Sequence, residues 1–340
     1  MSSFNTKLST IITTSCFAFS IVIGGAQDLF PVKSGSKFGY INKEGKMVIQ
    51  PQYERAFEFK NGFAQIKSGE KVGFIDKNGK VIAEPEFERA TDFSDGLAAI
   101  KADNTWQYID GSGNVKFSVD CNFAYAFSDG LARIQVGSML GFIDKTGKVV
   151  IEPKFEGAYD FSEGLARVKK NNKWGFIDKN GIFVIQPTFD MAWDFSDGLA
   201  NFRRGSEQTG TWGYIDKTGK EIISAQYDKA FPFSEGRGLV RVGDFKEGKY
   251  GYIDKTGKMI VEPQFDGAYN FSDGLACVAV GTGQDRKWGY IDKEGKMVIS
   301  RQFAYRSDFS GGVAKVRIGD FRTGTEGYID KTGKFVYEFK

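Results

Sequence analysis

The chain of 340 residues contains no histidine. Histidine is the side chain most often used for general acid–base catalysis near neutral pH, and it is the commonest metal ligand. A Ser-His-Asp triad, a Cys-His pair and a histidine-based zinc site are therefore excluded within this chain. Pairs of carboxylates could still serve in catalysis, so the lack of histidine argues against an enzyme but does not exclude one. We expect a protein that is not an enzyme and that uses no cofactor or metal.

The chain also lacks a marked excess of charge. It has 46 Lys and Arg residues against 43 Asp and Glu residues, a net charge of +3. Proteins that bind nucleic acid by neutralising phosphates generally carry a clustered basic excess, so no nucleic-acid partner is expected. Only 7 residues are proline, whereas 43 are glycine and 32 are phenylalanine. This composition is typical of an all-β protein with many tight turns.

Long uncharged stretches are absent except near the start, at residues 8–27. This stretch follows a lysine and ends with the small residues Gly24 and Ala26. A positive charge, an apolar run and small residues before a cleavage point are typical of a secretory signal peptide. We predict that residues 1–26 are cleaved and that residues 27–340 are exported to the periplasm, the cell surface or the medium, meeting the membrane only during export. Retention as a membrane anchor is the alternative, because 20 uncharged residues can just span a bilayer.

One motif recurs through the rest of the chain, as in KWGFIDKNG at 173–181. The spacing between copies is 34 residues four times and then 38 residues four times, which gives eight full units and a shorter ninth. The residue before the motif glycine marks each copy: Phe38, Val72, Trp106, Leu140, Trp174, Trp212, Tyr250, Trp288 and Glu326. Periods of this length indicate units that bury their apolar faces against one another.

The motif itself predicts a strand followed by a tight turn. WGFID alternates between two faces, as a half-buried strand does. The following turn opens with Asp or Asn and closes with Gly, which is typical of a type I turn and a residue with positive φ. A calcium loop would need oxygen ligands at alternating positions, and here the Asp is mostly followed by Lys. We therefore interpret the recurring Asp as a turn former and the motif as architecture.

The remainder of each unit supplies further strands. In the fourth unit, KVVI at 148–151 is the predicted return strand and LARVK at 165–169 is another strand. Between them, Phe155, Ala158 and Phe161 are spaced by three, which predicts an irregular segment or short strand whose aromatic side chains enter the core. Each unit is thus an antiparallel meander of three or four strands.

These meanders predict an all-β fold of tandem repeats. Nine units exceed the 4–8 blades of most propellers, and 34–38 residues is short for a blade. An open solenoid, however, usually has dissimilar capping units, and neither end of this array is specially polar. A propeller-like ring is the interpretation we favour, and an open β-superhelix is the alternative.

Three cysteines are present: Cys16, Cys121 and Cys277. Cys16 lies within the predicted signal, where the preceding residues TTS lack the apolar residue expected of a lipoprotein signal. Cys121 and Cys277 occupy different repeat positions, so we expect no disulfide between them and no CxxC metal or redox pair. Cys121 replaces an aromatic residue of the other units and is predicted to be a small core residue.

The extra four residues of the longer units lie mainly in the hairpin before the next motif. Equivalent hairpins should lie along one edge of the assembly, and loops on a rigid scaffold often carry binding sites. Solvated hairpins without a partner are the alternative. The candidate interaction residues in these hairpins are Arg203, Arg204, Phe245, Arg286, Phe321 and Arg322.

With these motifs, the chain resembles the bacterial WG repeat family, also described as KWG repeats. The family unit reads roughly W-G-aromatic-Ile-Asp-x-x-Gly-Lys, then Pro-x-aromatic-Asp, then Phe-Ser-Glu-Gly-Leu-Ala-x-Val. The resemblance covers Leu29 to the C-terminus. It departs where Gln107 replaces the motif glycine and where Val119, Ala225 and Arg301 replace the proline. It implies a β-repeat protein that is often exported, and it supplies no catalytic residues.

Two functions follow as hypotheses. The first is an exported, non-catalytic scaffold that binds a protein through loops on one edge. The second is a cell-wall or carbohydrate-binding module, because the aromatic hairpins loosely resemble choline- and glucan-binding repeats. Exposure of Trp174, Trp212 and Trp288 would favour the second, whereas shielded indoles would favour a purely structural role. A propeller enzyme would need carboxylates converging on a channel.

Overall fold

The computed structural model describes residues 28–244, 247–320 and 322–339. The predicted signal peptide therefore lies outside the described residues. The described part consists of strands and turns, with one 3-10 turn at Gly283–Asp285. Among these residues, no helix has the length and apolar character needed to cross a membrane.

In the described residues, thirty-four strands form eight antiparallel sheets, and within every sheet the strands are neighbours in chain order. The first sheet comprises β1 (Leu29–Ser34), β2 (Lys37–Asn42) and β3 (Met47–Tyr53). The second comprises β4 (Arg55–Ala56), β5 (Phe63–Ser68), β6 (Lys71–Asp76) and β7 (Val81–Phe87). The third comprises β8 (Arg89–Ala90), β9 (Leu97–Ala102), β10 (Thr105–Asp110) and β11 (Val115–Val119). The fourth comprises β12 (Phe123–Ser128), β13 (Leu131–Val136), β14 (Met139–Asp144) and β15 (Val149–Phe155).

The later sheets repeat this order. The fifth comprises β16 (Gly157–Ala158), β17 (Ala166–Lys170), β18 (Lys173–Ile177) and β19 (Phe183–Phe189). The sixth comprises β20 (Met191–Ala192), β21 (Ala200–Arg204), β22 (Thr211–Ile215) and β23 (Glu221–Tyr227). The seventh comprises β24 (Lys229–Ala230), β25 (Gly238–Val242), β26 (Lys249–Ile253) and β27 (Met259–Phe265). The last has seven strands: β28 (Gly267–Ala268), β29 (Ala276–Val280), β30 (Lys287–Ile291), β31 (Met297–Arg306), β32 (Val313–Ile318), β33 (Thr325–Asp330) and β34 (Phe335–Glu338).

Each four-stranded sheet joins two sequence units. In the fifth sheet, β16 and β17 come from the end of one unit, while β18 carries the WG motif of the next and β19 is its return strand. The predicted antiparallel meanders of three or four strands are confirmed, and so is the short strand between the spaced aromatics. Because the unit boundary falls inside a sheet, an excised unit would lack half of its hydrogen-bonded partners.

The core lies between consecutive sheets. Leu131, Phe142 and Ile151 of one sheet form a single apolar cluster with Ala166, Val168 and Ile177 of the next. All nine motif isoleucines are at most 1% exposed, as the alternation predicted: Ile41, Ile75, Ile109, Ile143, Ile177, Ile215, Ile253, Ile291 and Ile329. The packing of these faces confirms that the repeated motif is architectural.

A phenylalanine in each full unit packs edge-on against the aromatic residue of a WG strand. Phe161, for example, has its ring centroid 4.9 Å from that of Phe142 at an interplanar angle of 66°. The same arrangement recurs in eight pairs with centroid distances of 4.8–5.0 Å: Tyr40–Phe59, Phe74–Phe93, Tyr108–Phe127, Phe142–Phe161, Phe176–Phe195, Tyr214–Phe233, Tyr252–Phe271 and Tyr290–Phe309. Edge-to-face pairs add about 0.5–1.5 kcal/mol each beyond their buried area.

The motif aspartate forms the turn, as predicted. Asp144 Oδ1 accepts hydrogen bonds from the backbone N–H of Thr146 at 2.9 Å and of Lys148 at 3.1 Å. Bonds from the hydroxyl and the amide of Thr146 lower the pKa of the Asp144 carboxyl. The equivalent residue makes both backbone bonds in the other units as well, and in the first unit it is Asn42.

The motif glycine is required by a bulge in the return strand. A Cβ on Gly175 would lie 2.6 Å from both the Ile185 carbonyl oxygen and the Pro187 nitrogen. The register of the β18–β19 pair shifts between Trp174 and Phe176, and the bulged backbone of the return strand lies against Gly175. The third unit carries Gln107 there, and the strands pair without this shift, with Gln107 opposite Ser118. The third unit thus lacks both the motif Gly and the Pro for one reason, which is that its return strand has no bulge at this position.

The first sheet packs against the last. Phe30, Val32 and Ile41 form one cluster with Val313 and Tyr328. These positions are equivalent to those that join consecutive sheets elsewhere, such as Ala166, Val168 and Ile177 with Leu131 and Phe142. The Tyr328 hydroxyl also donates a hydrogen bond to the Pro31 carbonyl oxygen at 3.1 Å.

Candidate interaction surface

The four long hairpins occur at the same place in consecutive units. They connect β21 to β22, β25 to β26, β29 to β30 and β32 to β33, in each case leading into the WG strand. Because these strand pairs are equivalent, the hairpins lie at the same end of the strands, which we call the hairpin edge. Phe245 and Phe321 lie outside the described residues.

Two of the predicted arginines, Arg204 and Arg286, make side-chain contacts within their own sheets, and a third, Arg322, makes a backbone hydrogen bond. Arg204 donates a hydrogen bond to the Glu221 carboxylate. Arg286 Nε donates to the Gly281 carbonyl oxygen at 3.2 Å, and its guanidinium lies 6.0 Å from the Trp288 ring centroid. Arg322 is exposed, and its backbone N–H donates to Asp320. Arg203 differs, because its guanidinium faces the Trp212 ring at 5.7 Å while its Nε is buried without a hydrogen-bond partner among the described residues.

A row of aromatic residues runs beside this edge. We define the aromatic row as the residues two positions before the buried phenylalanine in five consecutive units: Tyr125, Tyr159, Trp193, Phe231 and Tyr269. Tyr159, Trp193 and Tyr269 are 40–42% exposed, which is high for such large side chains. Five successive aromatics at one repeat position make this the most distinctive surface feature of the described chain.

The backbone under the aromatic row is pinned from the core. Hydroxyl groups of buried tyrosines donate to row carbonyls, as Tyr252 does to Tyr269 at 2.7 Å and Tyr214 to Phe231 at 2.8 Å. Where the core aromatic is phenylalanine, which has no hydroxyl, an arginine holds the residue just before the row instead: Arg167 Nη1 donates to the Ala192 carbonyl oxygen at 2.5 Å. The row is therefore held by a rigid scaffold.

Arg167 also fixes the side chains of the row. Its guanidinium lies 3.4 Å from the Tyr159 ring centroid and 5.1 Å from that of Trp193. Its Nε donates to Asp194 Oδ1 at 2.7 Å. Burial lowers the pKa of Arg167 and raises that of Asp194, and the attraction between the two opposes both shifts. The Arg167 guanidinium is thus placed both to stack on the aromatic rings and to hydrogen-bond the Asp194 carboxylate.

Two of these arginine–aspartate ion pairs recur in consecutive units. Arg133 with Asp160 and Arg167 with Asp194 occupy the same two repeat positions, which in the previous unit are held by Ala99 and Ala126. Sequence reasoning missed these residues because it examined each unit by itself. The recurrence of an Arg and an Asp 27 positions apart in two consecutive units is a signal that could have found them.

The motif tryptophans do not form an exposed trough. Trp174, Trp212 and Trp288 are half-buried, and Trp106 is only 4% exposed. The Trp174 ring packs against Tyr159 of the aromatic row with centroids 5.7 Å apart. The exposed indole belongs instead to Trp193, which lies outside the WG motif.

The cysteines have little reactive character. Burial raises the pKa of the Cys121 thiol to about 11 and raises that of Cys277 further, so both are protonated at neutral pH. Both are free, and Cys121, predicted to be a core residue, is only partly buried and packs against an apolar cluster. The described residues contain no cluster of three or more His, Cys, Asp or Glu side chains able to hold a metal ion.

One solved structure superimposes well enough on this chain to support the propeller-like architecture. A crystal structure of the eukaryotic initiation factor superimposes with a TM-score of 0.67 at 14% identity, covering 92% of this chain and 96% of that chain. The Hsv2p structure from Kluyveromyces lactis gives a TM-score of 0.41 at 9% identity, covering 67% of this chain and 89% of that one. No curated protein sequence is significantly similar to this chain. At these identities the likeness concerns the fold alone.

The sequence of the repeats identifies the family of this chain more specifically than its fold does. The family described as WG containing repeat matches eight segments: 38–71, 73–106, 108–138, 141–174, 174–206, 212–244, 250–281 and 288–320. The matches begin at or near the motif positions that the sequence predicted and together cover well over half of the chain. This chain belongs to the WG-containing repeat family.

Proposed function

We propose that this chain is an exported, non-catalytic scaffold that binds a protein partner along its hairpin edge. The observation that carries the proposal is the aromatic row, in which Tyr159, Trp193 and Tyr269 are large, exposed and regularly repeated. Tyrosine, tryptophan and arginine are the residues that contribute most to protein–protein binding energy.

The rigidity of the row favours binding. Its side chains stack on arginines and its carbonyl groups are held by hydrogen bonds from the core, so little conformational entropy is lost when a partner docks. Three exposed aromatic side chains at one repeat position form a regular patch, whereas surface hydrophobic residues without a partner are usually scattered singly.

The chemistry of the edge supports a non-catalytic role. The half-buried Asp160 and Asp194 are each matched by an arginine rather than by a second carboxylate. The chain has no histidine, and both described thiols stay protonated at neutral pH. The export part of the proposal is supported by the sequence of residues 1–26.

A pair of matched triple variants tests the proposal. The row variant carries Tyr159→Ser, Trp193→Ser and Tyr269→Ser. The control variant carries Val150→Ser, Val184→Ser and Val298→Ser, three residues of similar exposure (41–45%) on return strands. Both are used as bait in envelope extract, with cross-linking and mass spectrometry to map which surface the captured protein touches.

We expect the native chain and the control variant to capture the same protein, with cross-links along the hairpin edge, and the row variant to lose it. If both variants capture it equally, or if the cross-links map to the return strands, the proposed binding surface is wrong. Urea unfolding of both variants checks that the loss does not come from misfolding.

A further inference from the structure

A cavity of about 410 Å³ lies between the sixth and seventh sheets, at the base of the first long hairpin. We call it the slot. Its walls include two indoles and a phenyl ring, and its rim carries charged side chains of both signs. The residues that matter to its chemistry are Trp193, Trp212, Phe231, Arg203, Glu207 and Asp228. The volume falls in the range of ligand sites, roughly 300–1,000 Å³.

The repeat position next to the slot departs from the neighbouring units. In neighbouring units a lysine at the start of the WG strand pairs with the aspartate that precedes the next short strand: Lys173 contacts Asp190 at 2.5 Å, and Lys249 pairs with Asp266. The equivalent residues here are Thr211 and Asp228. Thr211 is too short to make this pair, and its hydroxyl donates to the Ala225 carbonyl oxygen at 3.2 Å instead.

The charges around the slot disfavour an ionic ligand. Arg203 already lies over the Trp212 ring, where a cationic ligand would otherwise gain cation–π attraction. Asp228 and Glu207 repel a polyanion, while Arg203 and Lys229 offset their charge. Four charged side chains that sum to zero leave hydrogen bonding as the main polar interaction for a ligand.

The remaining chemistry matches a sugar. A pyranose has an apolar face of C–H groups, which packs on an aromatic ring such as the exposed Trp193, and an edge of hydroxyl groups that both donate and accept. Carboxylates accept from such hydroxyls, and guanidinium and ammonium groups donate to them. We propose that the slot binds a neutral saccharide, with one or two rings stacked on Trp193.

Thr211→Lys is the decisive variant, since it should restore the lysine–aspartate pair of the neighbouring units and fill the slot. It leaves Trp193 and the rest of the aromatic row unchanged, so its outcome is independent of the protein-binding proposal. Thr211→Ser, which keeps the hydroxyl and adds no bulk, is the matched control. Cellotriose, maltotriose and chitotriose are the probes, with tryptophan fluorescence and calorimetry as readouts.

We expect at least one of these trisaccharides to bind the native chain with a dissociation constant of about 1 mM or lower and to change the tryptophan emission. Thr211→Ser should bind as the native chain does, and Thr211→Lys should bind at least about tenfold more weakly. Trp193→Ala should remove both the binding heat and the emission change.

Three results would overturn the proposal. One is the absence of binding by all three sugars up to about 10 mM. Another is unchanged binding in Thr211→Lys, provided that its unfolding curve matches that of the native chain. The third is binding of a proline-rich peptide at the slot without binding of any sugar, which would assign the aromatic walls to a protein ligand.

Discussion

The ring of Phe30 lies 5.5 Å from the ring of Tyr328, although the two residues are at opposite ends of the described chain. In the other units the position of Phe30 is held by alanine or, once, by Gly238. A side chain larger than alanine is disfavoured there because the buried phenylalanine packs closely: even a Cβ on Gly238 would lie 2.7 Å from Phe233. The first unit has Gly25, outside the described residues, where the others have that phenylalanine. Phe30 therefore fills space that the other units fill from a different position.

Phe30→Ala should destabilise the chain strongly. Phe30 is 8% exposed, and removing a buried phenyl ring typically costs about 3–5 kcal/mol. Phe57→Ala, at a residue that is 41% exposed, should cost less than about 1 kcal/mol. Urea unfolding of both variants measures the difference.

Small-angle X-ray scattering adds a second readout for Phe30→Ala. If the contact between the first and last sheets closes a ring, weakening it should raise the radius of gyration below the unfolding transition. Equal stability of the two variants, with unchanged scattering, would show that the terminal sheets do not depend on each other.

The close approach at the motif glycine leads to a second prediction. Gly175→Ala places a methyl group 2.6 Å from two backbone atoms of the return strand, so the bulge must shift. We expect a loss of about 2–3 kcal/mol in the free energy of unfolding. Gln107→Ala, at the equivalent position without that bulge, should cost less than about 1 kcal/mol. Similar losses in the two variants would contradict the steric explanation.

Much of the fold was predictable because each unit repeats its local signals. Alternation identified the WG strand, Asp and Gly identified the turn, and the invariant isoleucine identified the core. These signals act within a few residues. Because the motif occurs nine times, a single exception such as Gln107 in place of the motif glycine does not obscure it. The same reasoning located the long hairpins, including Arg203 at the slot.

The interaction surface was harder to predict, because it forms between units. Arg167 meets Asp194 from the next unit, and the slot is lined by residues of both the sixth and the seventh sheet. Within one unit Trp193 is merely an aromatic residue near a turn. Only the stacking of neighbouring sheets shows that it is exposed while the motif tryptophans are half-buried.

The turn aspartates predict a loss of stability in acid. Hydrogen bonds hold the pKa values of Asp144, Asp178, Asp216 and Asp254 below the ordinary carboxyl value. A carboxyl group whose pKa is lower in the folded state than in the unfolded state stabilises the fold. This contribution is fully present above the unfolded-state pKa of about 4, and it is lost as the pH falls through the folded-state pKa. Stability should therefore decline below about pH 4.

A quadruple variant with Asn at these four positions isolates the effect, since Asn42 already forms the same turn without titrating. Its stability should fall less steeply with decreasing pH than that of the native chain. Burial raises the pKa values of Asp160 and Asp194, which acts in the opposite direction, but both remain in the variant and cancel in the comparison. Parallel pH profiles would contradict the assignment.

The proposed export of the chain leads to a prediction about its N-terminus. Cleavage after Ala26 should give a mature protein that begins at Gln27, and mass spectrometry of the exported protein would show it. Ala26→Lys places a long charged side chain where a small residue is needed, and it should leave residues 1–26 attached. An exported native protein that retains these residues would indicate a membrane anchor instead.

The last prediction concerns the energetic coupling between Arg167 and Asp194. Arg167 is almost fully buried, whereas Asp194 is about one-third exposed, so solvent weakens their attraction. Replacing only Arg167 by Met leaves a half-buried carboxylate without its partner, which is costlier than replacing both. A double-mutant cycle of Arg167→Met and Asp194→Asn should therefore give a coupling energy of about 1–2 kcal/mol.

The cycle has a built-in reference, because Ala99 and Ala126 hold the same positions in another unit without any charge. The Arg167→Met and Asp194→Asn double variant should thus be more stable than the Arg167→Met single variant. It should still lose the stacking of the guanidinium on Tyr159, which Met replaces only in part. Near-ultraviolet circular dichroism, which reports on the packing of Tyr159 and Trp193, should change in both variants that lack Arg167 and remain native in Asp194→Asn alone. A coupling energy near zero with native dichroism throughout would mean that the arginine does not hold the aromatic row in place.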